Sequence, residues 1–267
     1  MTFSDYLRER EIDEVPGRGV KPWVIAHRGY SGAAPENTMA AVDAARLIGC
    51  DFIEVDLHVT ADGVPVVVHD PTLQRTTDIQ GTIAHMSYDR ISLADAGYGR
   101  GLGYAGQRIP RLDAMLKNVA EMGGRMLLEL KGEWSPGAVA RVGQEIAEVG
   151  MADRVILQSF NVRSVEVCRD IAPHVPRGLL RLIPREEDMG IAQRLEVVAV
   201  NPSIRGFHAR RDFVEEVLGR DLAVFVYTSD TPRDWEKLVG AGVTGIITNQ
   251  PGRLQGFLAA KYDIAHS

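Results

Sequence analysis

A chain of 267 residues with 45% apolar side chains can bury roughly three quarters of its unfolded surface around one core, although length alone allows two small domains or one barrel of ~250 residues. Its 30 Lys and Arg stand against 36 Asp and Glu, a mildly acidic balance that argues against nucleic acid as the main partner. Cys50 and Cys168 are too few and too far apart for a disulfide framework or a cysteine metal site, and both are expected as buried thiols in helical segments.

Residues 1–22 are charged too densely for the apolar core of a secretory signal, and they are expected as an irregular or briefly helical N-terminal arm outside the barrel. From Trp23 onward, short runs rich in Val, Ile and Leu alternate with amphipathic segments, the pattern of repeated βα units. Eight strands are expected, at Trp23–Ala26, Phe52–Val59, Arg125–Leu130, Val155–Gln158, Gly178–Leu182, Val197–Val200, Leu222–Tyr227 and Gly245–Thr248. Helices are expected over Thr38–Ile48, Leu112–Glu121, Pro136–Val149, Val162–Ile171, Arg211–Leu218 and Pro232–Val239. Nearly continuous apolar strands are what parallel strands covered on both faces require, so the fold class is an α/β protein, a (β/α)8 TIM barrel over 23–267.

One interval breaks the rhythm. Ala61-Asp62-Gly63 signals a turn, and Val64–Val68 follows as a second short strand, a hairpin appended to strand 2. The polar, glycine-rich stretch from about 71 to 110 is then an insertion beside the active face. No apolar run reaches the length of a membrane span, and a cytoplasmic protein, monomer or homodimer, is expected.

Glu54 and Asp56 lie two apart on strand 2 and therefore share one face. Two carboxylates facing a barrel interior would repel, and a divalent cation with oxygen ligands is the economical way to offset them. Glu129 is a third acid inside an apolar strand, where on its own it suits one half of a buried ion pair. His27 and His69 stand at C-terminal strand ends, where barrel enzymes keep their catalytic groups; each alone equally suits a structural role, but together with Arg28 and three acids they form a constellation. His58 shares strand parity with Glu54 and Asp56 without further support. Asn37 or Thr38 can cap the helix that follows.

His27-Arg28-Gly29, Pro35-Glu36-Asn37-Thr38, Glu54-Val55-Asp56, His69-Asp70 and Glu129-Leu130-Lys131, in this order and spacing, resemble the signature of the glycerophosphodiester phosphodiesterase family. Ile109-Pro110-Arg111-Leu112, Gln158-Ser159-Phe160 and Gly245-Ile246-Ile247-Thr248 extend the resemblance over about 23–258. It implies a β/α barrel with its insertion after strand 2. It also implies one divalent cation, Mg or Ca, on Glu54, Asp56 and Glu129, and an acid–base pair of His27 and His69. The substrate is then a small-molecule phosphodiester, cleaved to glycerol 3-phosphate and an alcohol, with a neighbouring glycerol hydroxyl as first nucleophile and a cyclic phosphate that water opens. Arg28 and Lys131 would offset charge on the phosphoryl oxygens. Gln158, Phe160 and Tyr227 are further candidate substrate contacts, the two aromatics as walls against the glycerol backbone.

The sequence departs from the family pattern at Tyr227-Thr228-Ser229-Asp230, where a Trp-Thr-Val-Asn run is common, and at Asn161 and Asn249, where aspartate is frequent. These positions are expected to touch neither the metal acids nor the histidine pair, and so to bear on the alcohol rather than on the reaction. Two rival functions are a lipid phosphodiester substrate, as in lysophospholipase D or sphingomyelinase D enzymes, and a non-catalytic phosphodiester sensor. The completeness of the acid and histidine set stands against the sensor.

Overall fold

The computed structural model describes residues 2–12, 16–17 and 19–262. Its strands are β1 (Trp23–His27), β2 (Phe52–Val59), β3 (Pro65–Val67), β4 (Met126–Leu130), β5 (Val155–Ser159), β6 (Arg177–Arg181), β7 (Ala199–Pro202), β8 (Phe225–Val226) and β9 (Gly245–Thr248). They pair in the order β7-β6-β5-β4-β2-β1-β9-β8, with β3 antiparallel on β2 as the appended hairpin. The eight others are parallel and form a nearly closed TIM-type barrel with helices between the strands.

The β7–β8 seam carries only two isolated bridges, Ala199 with Ala223 and Ser203 with Tyr227. Between them the Phe225 amide donates to Asn201 Oδ1 at 3.0 Å. A side chain thus stands where a backbone carbonyl would continue the ladder, which is why β8 is two residues long rather than spanning Leu222–Tyr227. β6 and β7 sit one and two residues away from the spans expected at Gly178–Leu182 and Val197–Val200, since apolar runs fix a strand better than its ends.

Helices expected from periodicity all form, at Met39–Leu47, Leu112–Met122, Pro136–Glu148, Val162–Ile171, Arg211–Gly219 and Pro232–Ala241. Their apolar faces bury two clusters outside the barrel wall, one around Val42, Met115, Leu128 and Val142, the other around Phe213, Trp235, Leu238 and Ile246. Helices at Glu187–Arg194, Ile204–Ala209 and Pro251–Tyr262 complete the ring. None of the described helices is long and apolar enough to cross a membrane.

The N-terminal segment packs against the barrel. Phe3–Glu9 is a helix whose Phe3, Tyr6 and Leu7 are buried with Trp23, Phe52 and Phe225 at the N-terminal end of the strands. Phe3 stacks on Tyr6 and meets the edge of Trp23. The arm expected outside the barrel is therefore a plug for its base, while residues 1, 13–15 and 18 of that arm lie outside the described residues. The inserted segment has its own small core, in which Leu73, Ile83, Ile91 and Ile109 pack on Val66 and Val68 of the hairpin. Cys168 is buried as expected, but Cys50 lies past the end of its helix and is only partly buried.

Candidate active site

An aromatic layer closes the N-terminal end of the barrel, so the polar residues of the strands can converge only at the other end. The loop after β1 shapes that mouth. Arg28 and Asn37 both take left-handed backbone angles, φ of 57° and 59°, and the Asn37 amide donates to the Arg28 carbonyl at 3.0 Å. Non-glycine residues in this region each cost about 1–3 kcal/mol and persist where the surroundings over-determine them. Gly29 must be glycine, because at φ 74° a Cβ would stand 2.6–2.7 Å from Ala41. The tight turn lets the Arg28 amide donate to Glu54 Oε2 at 2.9 Å.

Glu54, Asp56 and Glu129 are brought together as predicted, and each offers one oxygen within 4.8 Å of the others. All three are buried, at 2%, 1% and 8% exposure. Asp56 and Glu129 lie side by side in the β2–β4 register. Lys131 Nζ lies 2.8 Å from Glu129 Oε1 and 3.2 Å from Asp56 Oδ1, and Arg28 Nε lies 3.3 Å from Asp56 Oδ2. Two cations thus face three carboxylates. Burial, and then the charges of Asp56 and Glu129, push Glu54 well above the usual carboxylate range. Burial and Asp56 likewise raise Glu129 to about 7. Burial pushes Asp56 up as well, but Lys131 and Arg28 outweigh it and hold it ionised. Three convergent carboxylates are a donor set of hard oxygens that could hold a divalent metal ion.

Asn37 does not cap the following helix; Thr38 does, accepting from the Ala41 amide. Asn37 instead clasps Asp56, donating from Nδ2 to Oδ2 at 2.9 Å and accepting from the Asp56 amide at 3.1 Å. The local sequence allowed either residue as the cap, and it is Thr38 that takes the role while Asn37 turns to Asp56, 19 residues on.

His27 and His69 both reach the mouth. His69 Nδ1 lies 2.6 Å from Asp70 Oδ1, and Arg75 from the inserted segment donates to the other oxygen of Asp70. These contacts, Arg75 above all, hold the Asp70 carboxyl at about 2. His27 Nδ1 lies 2.7 Å from Asn249 Oδ1, and burial together with Arg28 lowers its pKa. Asn249 Nδ2 in turn donates to Asp230 at 2.7 Å. The expectation that the departures at 230 and 249 stay clear of the histidine pair is therefore wrong. The ends of β1 and β9 are neighbours in the closed barrel, although their residues are 222 apart in sequence.

The other expected contacts divide. Lys131 joins the acids. Gln158 is buried beside Glu129 in register and accepts from Asn201 at 2.9 Å. Phe160 and Tyr227 meet edge to face at 5.8 Å, but the Tyr227 hydroxyl is already donated to the Arg181 carbonyl at 2.8 Å. His58 lies 3.0 Å from the His69 carbonyl through Nε2 and so braces that loop. Asn161 caps the Val162–Ile171 helix.

Acids, imidazoles and cations gathered at the C-terminal ends of parallel strands define a β/α-barrel enzyme with its active site on the usual face of that fold. The family model for the glycerophosphoryl diester phosphodiesterase family matches residues 27–253. A glycerophosphodiester phosphodiesterase of Caldanaerobacter subterraneus subsp. tengcongensis is 35% identical over 237 residues, covering 88% of this chain and 97% of the relative. A glycerophosphodiester phosphodiesterase of Bacillus altitudinis is 29% identical over 86% of this chain and 95% of its own. Among solved structures, an Oleispira antarctica phosphodiesterase in complex with the product sn-glycerol-3-phosphate superimposes with a TM-score of 0.79 at 26% identity, covering 89% of this chain and 96% of that one. The chain belongs to the glycerophosphoryl diester phosphodiesterase family.

Proposed function

We propose that this chain is a metal-dependent glycerophosphodiester phosphodiesterase that releases glycerol 3-phosphate and an alcohol. The observation that carries this reading is the convergence of three buried carboxylates and two oriented imidazoles at one mouth, in a chain similar to enzymes of that name.

Glu54, Asp56 and Glu129 would hold a divalent cation, Mg or Ca, which when bound draws charge from the phosphoryl oxygens. Arg28 and Lys131 add positive charge beside the same acids and would steer the anionic diester into the mouth. The side chains of His27 and His69 have their Nδ1 atoms tied to Asn249 and Asp70, which leaves Nε2 of each for the substrate. One imidazole takes the proton of the attacking glycerol hydroxyl as its oxygen bonds to phosphorus. The other gives a proton to the departing alcohol oxygen as its bond to phosphorus breaks, and water then opens the cyclic phosphate. Imidazole suits both transfers because its pKa lies near neutrality.

A lipid phosphodiester is favoured by one feature. Phe160, Val162, Leu182, Ile183 and Ile191 form the apolar side of a cleft of about 770 Å³ beyond the ends of β5 and β6, whose lining also includes Arg181, Arg185, Glu187 and Asp188; Leu182 is two thirds exposed. An acyl chain would cover that apolar wall. Release of glycerol 3-phosphate from glycerophosphocholine and glycerophosphoethanolamine, and of an acyl-glycerol 3-phosphate, cyclic or open, from a lysophospholipid, with and without chelator, tests both substrates. Metal-dependent release from the water-soluble diesters supports the main proposal; release from the lysophospholipid alone moves the substrate to the lipid class. Silence on all three, with metal bound, overturns both.

A further inference from the structure

The Asp230 carboxylate receives three hydrogen bonds from the end of β9. Thr248 Oγ1 and the Asn249 amide donate to Oδ1, each at 2.8 Å, and Asn249 Nδ2 donates to Oδ2 at 2.7 Å. An ionised carboxylate accepts and cannot donate. It therefore forces the Asn249 amide to turn its nitrogen toward Asp230 and its oxygen toward His27. That oxygen lies 2.7 Å from His27 Nδ1, and the Ser31 hydroxyl approaches it at 2.9 Å. The amide orientation thus follows from the network rather than from the shape of the side chain.

We propose that Asp230 is a positioning residue that acts through Asn249 to hold neutral His27 in the tautomer with its proton on Nδ1 and its lone pair on Nε2. A ring whose Nδ1 faces an amide oxygen must donate there. Nε2 of His27 has no protein partner among the described residues and is the nitrogen left to exchange a proton with substrate. The two histidines are therefore oriented by different means. His69 has a carboxylate directly on its ring, whereas His27 has a neutral amide whose direction is set by a carboxylate one residue further out. The inference rests on the proposed acid–base role of His27 for its catalytic consequence, but the tautomer itself is a property of the resting protein.

Asp230→Asn is isosteric and removes the fixed acceptor. Its own amide can then face Asn249, allow that side chain to flip, and present an N–H to His27, which moves the ring proton to Nε2. The expected result is a fall in kcat of roughly tenfold or more with KM little changed, since a wrongly set tautomer disables an otherwise intact imidazole. In ¹⁵N spectra of the ring, assigned with His27→Gln, the lone-pair signature moves from Nε2 to Nδ1. The exchange variant Asp230→Asn/Asn249→Asp puts a carboxylate on His27 and an amide behind it, restores an acceptor at Nδ1, and recovers most of the lost kcat. Wild-type kcat and an unmoved tautomer in folded Asp230→Asn, or an exchange variant no more active than the single one, overturns the proposal. If Asp230→Asn unfolds, the exchange variant decides alone: Nδ1–H with activity supports the proposal, and a lone pair on Nδ1 overturns it. Should the wild type hydrolyse no diester, the spectra still decide the tautomer, so that failure and this one are separable.

Discussion

Arg75, from the segment inserted after the hairpin, donates both terminal nitrogens to the two carboxylate oxygens of Glu36, at 2.7 and 2.9 Å. Its Nε also serves Asp70, the partner of His69, while Glu36 accepts from Arg28 at 2.8 Å. One guanidinium therefore ties the β1 loop to the loop that carries His69. Burial pulls the Glu36 carboxyl up, but Arg75 and Arg28 outweigh it and hold it below its ordinary range. Lysine cannot reproduce a planar two-nitrogen fork. Arg75→Lys should lower kcat/KM by roughly tenfold, about 1.4 kcal/mol of transition-state stabilisation. Steady-state kinetics on the preferred diester check it, and an unchanged kcat/KM would show that the tie plays no part in turnover.

His27→Ala and His69→Ala each remove one proton-transfer group while leaving the buried acids in place. Each should lower kcat by roughly 10²–10⁴-fold, the usual contribution of a positioned acid or base. Metal affinity, measured by calorimetry, should change little, because neither ring belongs to the carboxylate cluster. Either variant, folded and metal-loaded, that turns over near the wild-type rate would remove that histidine from the mechanism.

Much of this site is legible in the sequence because strand alternation is a local property. Glu54 and Asp56 on one strand, Glu129 on another with Lys131 just past its end, and His27 at a strand end follow from period-2 geometry and from where barrels keep their chemistry. The relay to His27 through Asn249 and Asp230 is not legible that way, since no local pattern joins residues 222 apart. Arg75 lies in a polar insertion without periodicity, where no neighbour announces a partner 39 residues earlier. The short N-terminal helix, one of the two forms expected for the arm, has a local signal that favours it over the irregular one. Thr2 and Asp5 form a capping box, each accepting from the other's amide, and Thr-x-x-Asp is a pattern of that kind.

Without metal, the cluster should make stability fall as pH rises. The Glu129 carboxyl is raised to about 7 in the folded chain by burial and Asp56, above its ordinary value of 4.5. Between those two values the folded state binds more protons than the unfolded state, so unfolding free energy decreases with increasing pH. The stabilisation is present below the lower value and lost through the upper one. A divalent cation replaces the missing positive charge. Scanning calorimetry should show that Mg or Ca raises Tm more at pH 8 than at pH 5, by several degrees at roughly 2–4 °C per kcal/mol for a chain of this size. An equal rise at both pH values would mean that the ion binds away from these carboxylates.

The plug at the base of the barrel separates stability from chemistry. Leu7 is 2% exposed and shares a core with Trp23, Phe52 and Phe225, at the opposite end of the strands from His27 and Glu54. Leu7→Ala removes buried methyl groups that the aromatic layer can replace only in part, at a cost of about 2–5 kcal/mol. Thermal unfolding should therefore drop on the order of 10 °C. The acids and imidazoles are fixed by the β1 loop and the strand ends rather than by this helix, so kcat well below the new Tm should stay within about twofold of wild type. A fall in kcat with an unchanged Tm would reverse the assignment, since the helix would then act on the mouth rather than on the core.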